Sequence, residues 1–189
     1  SKNASTGTIT TLSSINSSGI TSFDANTMPV EAGTGITGGT GTIYRSSVQR
    51  VGGIITTRIL IDLTGLRSTA SGDIIGVNGT SNVCHIGQIT AARNGTILTG
   101  SMECFEAPAG GDPDINVHSA TEGTGVEDGA ISSLTETLLV NAGDATLGSK
   151  VYFTAVPAAD EFLYLTLGDT TDADYTAGKL FIELMGYEA

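Results

Sequence analysis

The sequence predicts an all-β protein: an antiparallel β-sandwich, jelly-roll-like, with an extended N-terminal arm. Three observations carry this expectation. Apolar and polar residues alternate in short runs from Ile43 onward, the mark of strands with one face in a core and one in water. Glycine occupies 26 of 189 positions and cuts the runs apart at the spacing of turns. No long apolar stripe of helical period occurs, so the helix candidates reduce to short pieces near Ala70 and Ser132.

In chain order, residues 1–40 are expected to form the arm and residues 41–189 the sandwich domain. Residues 1–22 are mostly Ser, Thr, Asn and Gly with isolated Ile9, Leu12, Ile15 and Ile20, a pattern of extended chain rather than a packed unit. Residues 32–42, AGTGITGGTGT, read as a glycine-rich hinge. Gly33, Gly35 and Gly38 match G-x-G-x-x-G by spacing, but no hydrophobic strand precedes them and no helix pattern follows, so a dinucleotide site is not expected.

Strands are expected over Ile43–Arg50 and Ile54–Leu63, the second with Ile55, Thr57, Ile59, Ile61 and Leu63 on one face. Asn78–Gly79 and Asn94–Gly95 are turn signals, because both residue types tolerate positive φ. Thr96–Phe105 follows, with Leu98, Met102 and Cys104 assigned to one face, and Ala107–Gly129 reads as a long polar loop. Further strands are expected at Leu134–Val140, Lys150–Ala155, Phe162–Leu167 and Lys179–Met185. The expected core contains Ile55, Ile59, Ile61, Leu98, Met102, Val151, Phe153, Leu163, Leu165, Leu180, Ile182 and Leu184.

Charge is unevenly placed. Residues 1–100 hold six bases and four acids, a net of +2, whereas residues 101–189 hold two bases and 16 acids, a net of −14. Without a basic stripe to displace counterions, neither nucleic acid nor an anionic membrane is an expected partner. No apolar run has the length of a membrane span, and Ser1–Thr10 lacks the basic and apolar pattern of a secretory leader.

Reactive side chains are scarce: 2 His, 2 Cys and 0 Trp. Cys84 next to His85 lacks an orienting partner at any recognisable spacing, and no nucleophile-elbow, zinc-protease or phosphate-loop motif occurs. The chain is therefore not expected to be an enzyme. Acidic turns are the candidates for a metal: Asp169, Asp172 and Asp174 crowd one turn, and calcium is the cation that clustered carboxylate oxygens suit. No other cofactor is expected.

Several strings, Asp62-Leu-Thr-Gly-Leu66, Gly72-Asp-Ile-Ile-Gly76, His85-Ile-Gly-Gln-Ile-Thr90 and Gly178-Lys-Leu-Phe-Ile-Glu-Leu184, resemble virion structural proteins of tailed phages, notably marine ones. So do Glu106-Ala-Pro-Ala-Gly-Gly-Asp-Pro-Asp114 and Ala120-Thr-Glu-Gly-Thr-Gly125. The likeness spans roughly residues 34–186 and rests on whole strings rather than on a catalytic signature. It implies a capsid decoration, or cement, protein that binds the major capsid protein and stabilises the head. It implies a homo-oligomer, a trimer favoured, on the outer capsid surface of a virion assembled in the host cytoplasm, with both cysteines reduced. A head-fibre or tail-associated receptor-binding module is the first alternative, and a secreted calcium-dependent β-sandwich adhesin the second. In the decoration reading, Ile9, Leu12, Ile15, Ile20 and Phe23 of the arm are the expected partner contacts.

Overall fold

A computed structural model of the chain describes residues 30–188 and, before them, the backbone of two short strands, β1 (Ser13–Ile15) and β2 (Thr21–Phe23), which pair antiparallel with each other. After them come a helical turn α1 (Thr34–Thr37), β3 (Ile43–Val51), β4 (Ile54–Asp62), β5 (Arg67–Ser68), β6 (Gly87–Gln88) and a second helical turn α2 (Ala91–Asn94). The rest of the chain is β7 (Thr96–Ala109), β8 (Ile115–Ala120), a 3-10 turn at Ile131–Ser133, β9 (Glu136–Val140), β10 (Lys150–Tyr152), β11 (Phe162–Leu167), β12 (Ala173–Asp174) and β13 (Ala177–Tyr187). The protein is all-β and its sheets are antiparallel.

The pairings are nested. β8 pairs with β9, β7 with β10, β6 with β11 and β4 with β13, as if one long hairpin had been rolled up. Successive pairs fall in alternate sheets, giving a five-stranded sheet in the order β10-β7-β13-β4-β3 and a four-stranded sheet in the order β6-β11-β8-β9. One apolar cluster joins them: Ile59, Ile61, Met102, Leu180 and Ile182 from the first sheet meet Ile115, Val117, Leu139, Leu163 and Leu165 from the second. This is the expected sandwich, with the period-two faces of both sheets turned inward.

In the five-stranded sheet the alternation reads cleanly. β4 buries Ile55, Thr57, Ile59 and Ile61, and β13 buries Leu180, Ile182 and Leu184. Leu98 is the exception: expected in the core, it is 55% exposed, while Ile97 is buried. The register explains this. Thr99 faces Met185 and Ile97 faces Gly186, so Leu98 is the extra residue of a β-bulge, and a bulge reverses the in–out phase beyond it. Val151 and Phe153 pack against the core as half-buried residues.

The four-stranded sheet departs further from expectation. The supposed loop Ala107–Gly129 contains the end of β7 and all of β8, whose six residues are buried on both faces. Asn116, His118 and Ser119 made this segment look like a surface. Asn116 instead accepts a 3.1 Å hydrogen bond from the Ala142 amide, and His118 Nδ1 lies 2.8 Å from Glu136 Oε2. The second layer over this sheet is chain without regular structure. The Tyr164 hydroxyl donates to the Glu122 carbonyl (2.7 Å) and accepts from the Gly125 amide (3.2 Å), tying residues 122–125 across β11.

The domain boundary also moves. Residues 30–40, expected in the arm, belong to the sandwich: Val30 and Ile36 are fully buried, and the amides of Gly33 and Gly35 donate to the carbonyls of His85 and Val83 at 2.8 Å each. The glycines serve close packing rather than a hinge. A Cβ on Gly35 would stand 2.4 Å from Cys84 Sγ, so no larger residue fits.

Candidate functional site

Among the described residues, an open sheet edge lies along β3. This strand of nine residues closes one side of the five-stranded sheet, and among the described residues only β4 pairs with it. Gly52 and Gly53, at φ of 57° and 85°, form the two-residue turn that joins the two strands. Tyr44, Ser46 and Val48 point inward. The Tyr44 hydroxyl contacts the carbonyls of Val30 (2.8 Å) and Ile86 (2.7 Å), and Ser46 Oγ donates to the Val30 carbonyl at 2.6 Å. Burial pushes the Tyr44 hydroxyl far above the ordinary tyrosine range, so it remains protonated as a donor. These bonds hold residues 30–32 against the strand and leave an open groove of about 360 Å³ beside it, walled by Glu31, Ala32, Thr37, Tyr44 and Arg45.

The water-facing side of the same sheet mixes apolar side chains with cross-strand ion pairs. Phe105 and Phe181 stack with ring centroids 5.1 Å apart. Arg58 meets Glu183 at 2.8 Å, and Lys179 pairs with both Asp62 and Glu106. Burial alone would raise Asp62, but hydrogen bonds from the Thr64 hydroxyl and amide, together with Lys179, bring its carboxyl below the ordinary aspartate range.

The three candidate metal ligands do not act as a set. Arg67 takes two of them, Asp172 at 2.6 Å and Asp174 at 2.9 Å, whereas Asp169 caps its neighbour's amide, Thr170 N, at 2.8 Å. Among the described residues no three His, Cys, Asp or Glu side chains converge in a metal-binding arrangement. A different acidic neighbourhood surrounds Asp114. Burial first, then Asp112, Asp144 and Asp169, push its carboxyl above the ordinary range, and its Oδ1 is buried without a hydrogen-bond partner. The Asp112–Asp114 pair was visible in the sequence; Asp144 and Asp169 join it only through the fold.

Cys84 and His85 do not form a nucleophile pair. Burial pushes the Cys84 thiol up to about 11, and it donates to the Asn82 carbonyl, so it stays protonated and unreactive at neutral pH. His85 packs against the rings of Phe162 and Tyr164 at 5.0 and 6.5 Å, and burial holds its pKa below the ordinary value. Cys104 is likewise buried and free of any disulfide.

Of the expected arm contacts, Ile9, Leu12 and Ile20 lie outside the described residues. Ile15 and Phe23 are placed only as backbone, in β1 and β2. The open edge of β3 is the element that sequence reading passed over. The signal was present: a Gly-Gly turn fixes the hydrogen-bonding phase of both strands beside it. Among known proteins, no family model matches this chain, and no curated protein and no solved structure shows significant similarity to it.

Proposed function

We propose that this protein is a virion structural protein of a tailed phage: a capsid decoration protein that binds the major capsid protein on the outer head surface and stabilises the shell. The observation that carries the reading is the strand order. With β3 set aside, the sheets run β10-β7-β13-β4 and β6-β11-β8-β9, an order that fits the two-sheet, eight-stranded pattern of a jelly roll and so supports that reading. Jelly rolls recur in capsid proteins and in lectins alike, so the fold supports the reading by analogy, and the sequence resemblance selects the capsid.

Two further features support it. The reactive side chains are buried or paired, as a structural role permits. The acidic C-terminal half, with its net of −14, suits an outward face away from packaged DNA. In this reading Ile9, Leu12, Ile15, Ile20 and Phe23 of the N-terminal segment make the capsid contact.

The test is co-sedimentation of the purified chain with phage heads that lack it, followed by thermal disruption of the heads. Saturable binding that raises the disruption temperature is expected, and a chain beginning at Val30 should lose it. Heads that bind none of the full-length protein would refute the reading. Full binding by the shortened chain would move the contact from the N-terminal segment to the sandwich.

A further inference from the structure

We infer that two copies of this chain pair through β3 across a two-fold axis, joining their five-stranded sheets edge to edge. The inference stands on strand geometry and does not depend on the capsid reading. In a two-residue hairpin the residues flanking the turn exchange hydrogen bonds, and bonded positions then recur at every second residue. Val51 and Ile54 flank the turn, so residues 51, 49, 47, 45 and 43 bond to β4. Tyr44, Ser46, Val48 and Arg50 therefore turn their N–H and C=O groups outward. The Tyr44 carbonyl confirms the phase, since it accepts from the guanidinium of Arg45 at 2.8 Å rather than from a strand amide.

An unpaired strand of this length is a template for another strand, and natural edges are normally shortened, bulged or covered. β3 is neither shortened nor bulged, its register with β4 running without a shift over all nine residues. Among the described residues no strand covers its outer edge, and its guards are the charges of Arg45, which occupies the Tyr44 carbonyl, and Arg50. For a second β3 to pair antiparallel, outward residues must meet outward residues. The register centred on Ser47 uses all four on each strand, placing Ser46 opposite Val48 and Tyr44 opposite Arg50.

The side chains suit that register. On the outer face Arg45 meets Gln49, Ser47 meets Ser47, and Ile43 meets Val51. No like charges oppose each other. Ile43 and Val51, 45% and 66% exposed in the single chain, cover one another. On the inner side the partner's Arg50 arrives opposite Tyr44. There Glu31 lies in the groove wall and, with Arg93, acts electrostatically on the Tyr44 hydroxyl. Arg50 itself is held within its own chain by Glu188 and the carbonyls of Ala92 and Arg93, so its backbone rather than its guanidinium makes the cross-seam contact. The edge also belongs to the half of the sequence with a net charge of +2, so the excess of carboxylates does not oppose contact. Because the same patch serves both copies, the contact closes at two rather than propagating.

Sedimentation equilibrium of the full chain tests this. The expected mass is twice the 19.2 kDa of one chain. Ser47 is exposed, so Ser47→Lys and Ser47→Glu should fold as the wild type does by circular dichroism. Each alone places like charges on the axis and should weaken pairing by at least about tenfold, while an equimolar mixture of the two should restore it. Paired residues of this non-bonded type have Cα atoms about 4.5 Å apart, within disulfide reach, so Ser47→Cys should cross-link to a covalent dimer under mild oxidation. Cys84 and Cys104 are buried and should not compete. A wild-type protein that sediments as a single chain would overturn the inference. So would a dimer indifferent to both charge variants, a mixture that fails to recover pairing, or a Ser47→Cys protein that does not cross-link.

Discussion

The two sheets follow different rules, and the difference shows why one was easier to read than the other. The five-stranded sheet has one face in the core and one in water, so its strands must alternate, as the burial of Ile55, Thr57, Ile59 and Ile61 in β4 illustrates. The four-stranded sheet has chain on both faces. Its central strands β8 and β11 are buried almost throughout, and Asn116, His118, Ser119, Tyr164 and Thr166 all lie inside. Asn116, His118 and Tyr164 have hydrogen-bond partners there, as buried polar groups normally do, whereas Ser119 Oγ and Thr166 Oγ1 are buried without one. Alternation is thus a readout of one-sided exposure and fails where a sheet is covered twice.

The comparison can be broken most forcefully in the shared core. Leu165→Ala from the covered sheet and Ile182→Ala from the half-exposed sheet should each cost on the order of 2–5 kcal/mol by denaturant titration, since both side chains are fully buried. A melting midpoint unmoved by either change would disprove the strand phasing. Tyr164→Phe tests the second cover. It leaves the Gly125 amide and the Glu122 carbonyl without their shared hydroxyl, at a cost of about 1–3 kcal/mol. A loss of zero would mean that residues 122–125 do not depend on β11.

Two carboxylates sharpen the contrast through pH. Asp114 has a folded-state pKa raised above the unfolded value of 3.8, so its contribution to stability is fully present below that value and is lost as pH rises through the folded pKa. Asp114→Asn should therefore raise the melting temperature at pH 7, with the gain fading in acid. Asp62 has a lowered pKa, so its contribution is present above 3.8 and is lost as pH falls through the folded value. Asp62→Asn should lower the melting temperature at pH 7, again with a difference that closes in acid. Melting curves of the three proteins between pH 3 and 7 check both signs, and equal signs would refute the assignment.

The smallest effects belong to the water-facing side of the five-stranded sheet. Glu183→Gln breaks a partly exposed ion pair with Arg58 and should cost under about 1 kcal/mol, less in high salt. Leu98→Ser, at the bulge, should change stability by no more than about 0.5 kcal/mol. A cost near that of Ile182→Ala would return Leu98 to the core.

From residues alone, the fold class was legible because period-two runs between glycine turns have few other solutions. β3, β4 and β11 were placed to within one residue, β13 was expected two residues short at each end, and the inward faces of β4, β11 and β13 were correct. Cys104 was placed on an inward strand face with Met102, and it is buried. The open edge was not read from the sequence: Gly52–Gly53 sets which β3 residues turn away from β4, but only the order of strands in the sheet leaves β3 last.

Tertiary structure alone decided the rest. β8 became a strand because β11 and β9 pair with it on either side, and Glu136 of β9 and Ala142 just beyond β9 supply partners for His118 and Asn116, while Ser119 Oγ is buried without one. Leu98 left the core because a bulge, a property of two paired strands rather than of one, shifted its phase. Asp172 and Asp174 were drawn to Arg67, distant in sequence, while Asp114 collected Asp144 and Asp169 as neighbours. Local sequence sets what a segment prefers when one side is wet. Which side stays wet, and which distant charge arrives, depends on long-range pairing that no single segment encodes.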